Sequence, residues 1–152
     1  SYRIPILDNI AIFIEYLKWY ILFSIVLIIV LITKNYKKIL PLVLSFVLYF
    51  LIVNILKIVI ARPRPYVDLK NELVNVTNPY RSFPSGHATS VSLLLPFFNS
   101  NVFKMIWWVI VIIVSLSRVY LGVHYLSDVI FGVLLGYLIG ELSLYLINKK
   151  KK

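Results

Sequence analysis

Between Lys57 and Asp128, three short clusters place cations, histidines and one carboxylate at spacings suited to phosphate chemistry. They are Lys57 with Arg64-Pro65, Pro84-Ser85-Gly86-His87, and Ser117-Arg118 with His124 and Asp128. Ionisable groups are costly at membrane depth and are usually retained there only where they pair or act. Lys57 and Arg64 are separated by the turn-forming Arg62-Pro63, and Pro65 keeps residue 64 extended, so both cations can face one anion. Pro84-Ser85-Gly86-His87 is expected to open a helix, whose unpaired N–H groups and positive dipole end favour a phosphate, while Gly86 allows close backbone approach and Ser85 adds a hydroxyl. Arg118 supplies a forked guanidinium suited to two phosphate oxygens.

His124 and Asp128 point to nucleophilic catalysis. A carboxylate on one ring nitrogen fixes the tautomer and stabilises the positive charge that develops as the other nitrogen attacks phosphorus. The four-residue spacing predicts Asp128 one helical turn beyond His124, on the same face. His87 is then available as the general acid that protonates the departing oxygen. Lys57, Arg64, Arg118 and the Ser85-Gly86 backbone would hold the three equatorial oxygens, the electrostatic contribution that dominates phosphoryl transfer. This scheme calls for no metal and no cofactor.

The elements that must position these groups are membrane helices. The chain has 152 residues, of which 61% are hydrophobic and only five are glycine, a composition too apolar for a soluble domain of this size. Apolar runs at about 8 to 33, 39 to 60, 102 to 121 and 126 to 147 are long enough to cross a bilayer. The first is too long for the apolar core of a signal peptide, and no small-residue cleavage site follows it. A fifth run, Gly86 to Phe98, amounts to roughly 20 Å of helix and contains Pro96. The expectation is an all-α integral membrane bundle of about five transmembrane helices, forming a single membrane-embedded domain over residues 1–152. Residues 61–84 carry four prolines and read as the active-site loop. Cysteine is absent, which excludes disulfides and thiolate metal sites.

Charge sets the orientation. The 16 Lys and Arg against 6 Asp and Glu would suggest nucleic acid in a soluble chain. Here they fit membrane orientation plus an anionic ligand, and no nucleic-acid partner is expected. The loops at Lys34 to Lys38, at Lys104 and at Lys149 to Lys152 hold eight lysines without an acid, on one side of a five-helix chain. The positive-inside rule makes that side cytoplasmic, which puts the three clusters on the extracytoplasmic face of the cell membrane. Arg62 and Arg81 fall outside the clusters and read as headgroup contacts or solvated side chains. Gly132, Gly136 and Gly140 recur every four residues, leaving one face open to another helix. Packing within the monomer is the first expectation for that face, a homodimer the second.

The three clusters, in this order and spacing, resemble the type 2 phosphatidic acid phosphatase superfamily, which holds membrane lipid phosphatases and, more distantly, vanadium haloperoxidases. The resemblance rests on a lysine six residues before Arg-Pro, on Pro-Ser-Gly-His, and on Ser-Arg, five residues, His, three residues, Asp. It implies a metal-independent phosphohistidine mechanism, with His124 as nucleophile, Asp128 as its partner and His87 as acid. Lys57, Arg64, Ser85, Gly86, His87 and Arg118 match its phosphate-binding positions. Many family members have six helices where this chain shows five. The expected substrate is a phosphate or diphosphate lipid in the bilayer, a polyprenyl diphosphate first, with phosphatidylglycerophosphate and phosphatidate as alternatives. A lipid phosphotransferase would share every catalytic residue, whereas an anion transporter would not require the His124 and Asp128 pair.

Overall fold

The computed structural model describes residues 4–16, 36–69 and 78–149, together with Ser24, Leu27, Ile28, Leu31 and Lys34. Its helices are α1 (Pro5–Tyr16), α2 (Ile39–Ile60), α3 (Pro65–Leu69), α4 (Gly86–Ser92), α5 (Asn101–Tyr120) and α6 (Leu126–Lys149), with 3-10 turns at Tyr36–Lys38 and Leu95–Phe97. No strand occurs among the described residues. Three of these helices, α2, α5 and α6, are long and apolar enough to cross a membrane. The protein is an all-α membrane bundle.

On α2, Leu42, Phe46, Tyr49 and Val53 turn inward at helical spacing, while Val47, Phe50, Leu51, Ile55 and Ile58 are exposed. An apolar outer face beside an apolar inner stripe is what a lipid-facing helix requires. The buried side meets Val91, Leu93, Leu94 and Phe97 from α4 and the turn after it, Trp107 and Val111 from α5, and Ile139 from α6. The indole N–H of Trp107 donates to the Val91 carbonyl at 2.8 Å, tying α5 to the centre.

The predicted fifth span departs from a single helix. Residues 86–98 form the seven-residue α4, a turn and then the 3-10 turn Leu95–Phe97. Pro96 lacks the N–H that would continue an α-helix, and Val91, Leu93 and Leu94 are fully buried. This segment is an internal plug wrapped by α2, α5 and α6. The predicted first span appears in part, as α1, and most of its remainder lies outside the described residues.

The glycine stripe is used within the chain. A Cβ built at Gly136 would lie 2.1 Å from the Thr89 carbonyl oxygen and 2.2 Å from Ser92 Oγ, and one at Gly140 would lie 2.4 Å from the Leu93 carbonyl oxygen. Only glycine lets α6 approach α4 this closely. On the α4 side, the Thr89 and Ser92 hydroxyls border the seam and donate back to the carbonyls of Ser85 and Ala88 at 2.8 and 2.9 Å, so these polar groups are satisfied without a partner on α6.

Lys37, Lys38, Lys104 and Lys149 collect at one end of the bundle. Lys38 donates to the Phe97 carbonyl and, at 2.7 Å, to Asn99 Oδ1, which joins the start of α2 to the start of α5. The three motif clusters gather at the other end, where α2 and α5 finish and α4 and α6 begin.

Candidate active site

Main-chain bonds frame the polar end. Helix α2 stops at Ala61, whose φ of 42° is left-handed, at a cost of about 1 kcal/mol for a residue with a Cβ. The chain then turns back, and residues 62–64 lie beside 79–82 through Ser82 N–H to Arg62 C=O at 3.0 Å and Arg64 N–H to Pro79 C=O at 2.8 Å. The Tyr66 N–H donates to Gly122 C=O at 3.0 Å, and the Ser85 N–H donates to Asp128 C=O at 3.1 Å. After α5, Gly122 takes a φ of +68°, which favours glycine. That turn lets the N–H groups of Val123 and His124 both reach the Arg118 carbonyl, at 3.2 and 3.3 Å.

His124 and Asp128 meet, but not along one helix face. His124 lies in the turn before α6, and Asp128 sits in the helix's first turn. The expected helical stacking is thus replaced by a loop-to-helix contact, for a local reason. Asp128 Oδ2 accepts the N–H of Tyr125, the residue just before the helix, at 3.0 Å. This is the reach-back of a residue capping its own N-terminus, and it ends the helix ahead of His124. His124 Nδ1 stands 3.8 Å from Asp128 Oδ2 and has no hydrogen-bond partner among the described residues. That separation is beyond hydrogen-bond range, so the carboxylate acts on the resting ring as a charge.

On the other side of the ring, Arg64 Nη1 lies 3.4 Å from His124 Nε2. A guanidinium only donates, so this contact suits a lone pair on Nε2 and the proton on Nδ1, facing Asp128. His124 is 4% exposed. Burial pushes its pKa down to about 4; the nearby Asp128 carboxylate opposes this, and the charges of Arg64 and Lys57 reinforce it. The ring is therefore neutral at pH 7, with the Nε2 lone pair aimed at a cationic corner.

Of the remaining sequence-predicted residues, Lys57, Ser85 and Gly86 lie against that corner. Lys57 lies in the last turn of α2, and its Nζ is 3.9 Å from where a Cβ on Gly86 would stand. Tyr49 Oη donates to the Gly86 carbonyl at 3.3 Å. Ser85 is the N-cap of α4 and is fully buried, its Oγ accepting from the Ala88 N–H at 3.5 Å. Its own N–H is already given to Asp128 C=O. His87 follows in the first turn of α4, half-buried. Arg64 also holds the Val123 and Asn78 carbonyls, at 2.9 and 3.1 Å. Arg118, fully buried at the end of α5, donates to Ser117 Oγ and to the Ala11 carbonyl of α1, each at 3.1 Å. Both arginines are thus braced by protein groups, and Arg64 in addition faces His124.

Two residues were missed by reasoning from the sequence. Arg62, read as a headgroup contact or a solvated side chain, forms an ion pair with Asp128 Oδ1 at 2.6 Å. Ser82 donates its hydroxyl to Asp128 Oδ2 at 2.5 Å and is fully buried. The available signal was their place beside the motifs: Arg62 two residues before Arg64, and Ser82 two before Pro84.

Residues 38–152 match the PAP2 superfamily. The undecaprenyl-diphosphatase of Sulfolobus acidocaldarius is 39% identical over 118 residues, covering 74% of this chain and 57% of its own length. The lipid A 4'-phosphatase of Porphyromonas gingivalis is 34% identical over 92 residues, which is 53% of this chain and 38% of that protein. The chain thus spans about half the length of these curated relatives. Among solved structures, Aquifex aeolicus LpxE superposes with a TM-score of 0.82 at 32% identity, over 94% of this chain and 88% of that one. The Bacillus subtilis PAP2 type phosphatidylglycerolphosphate phosphatase superposes with a TM-score of 0.75 at 29% identity, over 99% of this chain and 80% of that one. With the family match running from the start of α2 through all three clusters, the chain belongs to the PAP2 superfamily.

Proposed function

We propose that the protein is a membrane lipid phosphatase that acts on a phosphate or diphosphate lipid, with a polyprenyl diphosphate as its preferred substrate. The observation that carries this reading is the neutral His124 ring, held with Nε2 toward Arg64 and Nδ1 toward Asp128. In the first step Nε2 bonds to phosphorus as the bond to the leaving oxygen breaks. His87 gives its proton to that oxygen, and Asp128 stabilises the ring as it becomes cationic. Water then attacks the phosphohistidine, His87 takes the water's proton, and Nε2 leaves. Lys57, Arg64 and Arg118, with the Ser85 hydroxyl and the Gly86 N–H, hold the transferred group's oxygens. The chemistry needs no metal or cofactor.

The named activity of the Sulfolobus acidocaldarius relative supports a polyprenyl diphosphate. The named activities of the Porphyromonas gingivalis relative and of the solved Bacillus subtilis phosphatase favour lipid A or phosphatidylglycerophosphate as the second reading. Purified protein offered a panel of these lipids, with and without EDTA, should release phosphate fastest from the polyprenyl diphosphate, leaving its monophosphate, and chelator should not slow it. Strict dependence on added magnesium would sink the mechanism. Vanadate should compete with substrate, since a five-coordinate oxyanion on His124 imitates the transition state. We place the site on the extracytoplasmic face, on the strength of the lysines at the opposite end. A cysteine at the exposed Tyr80 should react with an impermeant reagent on intact cells; labelling only after lysis would reverse the orientation.

A further inference from the structure

We propose that Arg62, with Ser82, is a positioning residue: it holds the Asp128 carboxylate so that Oδ2 receives the Nδ1–H of His124 as the ring becomes cationic, and it does not bind the phosphate. The inference rests on His124 being the nucleophile and adds a part to that site.

Every described contact of the Arg62 side chain falls on residues 125–128. Nη1 reaches Asp128 Oδ1 at 2.6 Å and Ser127 Oγ at 2.8 Å, and the guanidinium carbon lies 4.1 Å from the Tyr125 ring centroid, within cation–π range. Ser82 closes the other side at Oδ2, where the Tyr125 N–H also donates. The two clamping residues are themselves joined by Ser82 N–H to Arg62 C=O. With Oδ1 engaged by Arg62, the carboxylate cannot rotate without breaking an ion pair, and Oδ2 is the oxygen left facing the ring.

The resting separation of 3.8 Å is the informative distance. A bond that is long in the ground state and closes once the ring carries charge stabilises the transition state selectively, which raises kcat without changing KM. It also gives two neighbouring arginines different duties. The contacts run in order from Arg62 to Asp128, from Asp128 to His124, and from His124 to Arg64. Arg62 stands behind the carboxylate, and Arg64 stands where the phosphate arrives. The Arg62 side chain is 35% exposed and that of Asp128 is fully buried, so the arginine enters from the rim and its removal opens no core cavity.

The test is Arg62→Ala, alone and combined with Asp128→Asn. The single change should lower kcat about 10- to 100-fold, the scale seen when an outer partner of a functional residue is lost, while KM and vanadate inhibition move less than about 3-fold. Arg62→Lys should restore part of the rate, since it keeps the charge and loses the fork. On an Asp128→Asn background, Arg62→Ala should change kcat by less than about 2-fold, because the residue acts through the carboxylate.

A reading that needs no turnover comes from 15N-histidine NMR of the detergent-solubilised chain. The charged groups facing His124 are Arg64, Lys57 and Asp128. Removing Arg62 subtracts a cation and leaves Asp128 less neutralised, and both changes raise the His124 midpoint, by about one pH unit. A rise of 10-fold or more in KM or in the vanadate inhibition constant, at unchanged kcat, would make Arg62 an anion ligand and overturn the proposal. Unchanged kcat with an unchanged His124 titration would overturn it too. If Arg62→Ala does not fold, Ser82→Ala must show the same loss confined to kcat. Should the wild-type protein hydrolyse no lipid, the hydrolase reading falls, and the NMR shift still decides the clamp.

Discussion

Along α6, the first turn and the turns that follow carry opposite kinds of contact with α4. At Asp128, donors are aimed at acceptors: the Ser85 N–H, at the start of α4, on the carbonyl, and Ser82, Arg62 and the Tyr125 N–H, from the adjoining loops, on the carboxylate. From Gly132 to Gly140, the two segments meet through missing side chains, with the carbonyls of Ser85, Thr89 and Leu93 filling the space where each Cβ would be. Both helices start at the site and advance together, so one surface passes from directional bonding to steric fit within a few turns. A directional contact fails by subtraction, one donor at a time, and leaves the backbone in place. A steric contact fails by addition, and the helix itself must move. Substitutions at the polar end should therefore cost turnover, and those in the seam should cost stability.

His124→Ala should separate the two most sharply. Turnover should fall by about 10,000-fold or more on every substrate, as when the attacking residue of a hydrolase is removed, while the unfolding midpoint in detergent stays near that of the wild type. Residual activity that persists with an acidic leaving group would argue that His124 is not the nucleophile. His87→Ala should be selective. Against a lipid monophosphate it should lose about 100- to 1,000-fold, the value of general acid assistance, and against an aryl phosphate much less. Phosphate release across leaving groups of graded pKa measures this, and equal loss with all of them would remove His87 from the acid role.

In the seam, Gly136→Ala should cost about 3 kcal/mol of stability, at the upper end for overpacking because its Cβ meets main chain. Activity per folded molecule should hold. Gly132 sits where the two regimes join, since its Cβ would lie 2.9 Å from the Ser85 carbonyl oxygen. Gly132→Ala should lose less stability, about 1 kcal/mol, and should also lower kcat. If Gly136→Ala instead slowed turnover in a fully stable protein, the division would not hold.

A change of pH should act without any substitution. The folded pKa of His124, about 4, lies below its ordinary 6.5. The unfolded chain therefore takes up the proton first, and stability present above pH 6.5 is lost as pH falls toward 4. Between neutrality and pH 5 the loss from this group amounts to about 2 kcal/mol. Unfolding measured across that range should be less steep in His124→Gln. A parallel pH profile would show that the ring is not held neutral by burial.

The spacing of the three clusters already contained the contact between Lys57, Gly86, Arg64 and His124, because each motif lies at an end of an apolar run and the alternation of the runs brings those ends to one side. The three long helices were legible for the same reason. Arg62 and Ser82 were not, since their partner Asp128 lies 66 and 46 residues away, and neither a propensity nor a period reports a contact across that distance. The break in residues 86–98 had a visible cause in Pro96, but its burial depended on α6 lacking side chains opposite it. His124 leaves the helix for a competing local reason, the capping bond between Asp128 and Tyr125, which outweighs the simple four-residue spacing.

The bonds from Ser82 to Arg62, Arg64 to Pro79, Tyr66 to Gly122 and Ser85 to Asp128 join three separate stretches of chain, 62–66, 79–85 and 122–128, and all are main chain to main chain. A scaffold built this way is indifferent to which side chains it displays. Under the proposed function, lineages, or a laboratory selection, can therefore exchange residues around the site while its main-chain frame keeps its shape. New substrate preferences then lie within a few substitutions of the old one, without passing through a misfolded intermediate sequence.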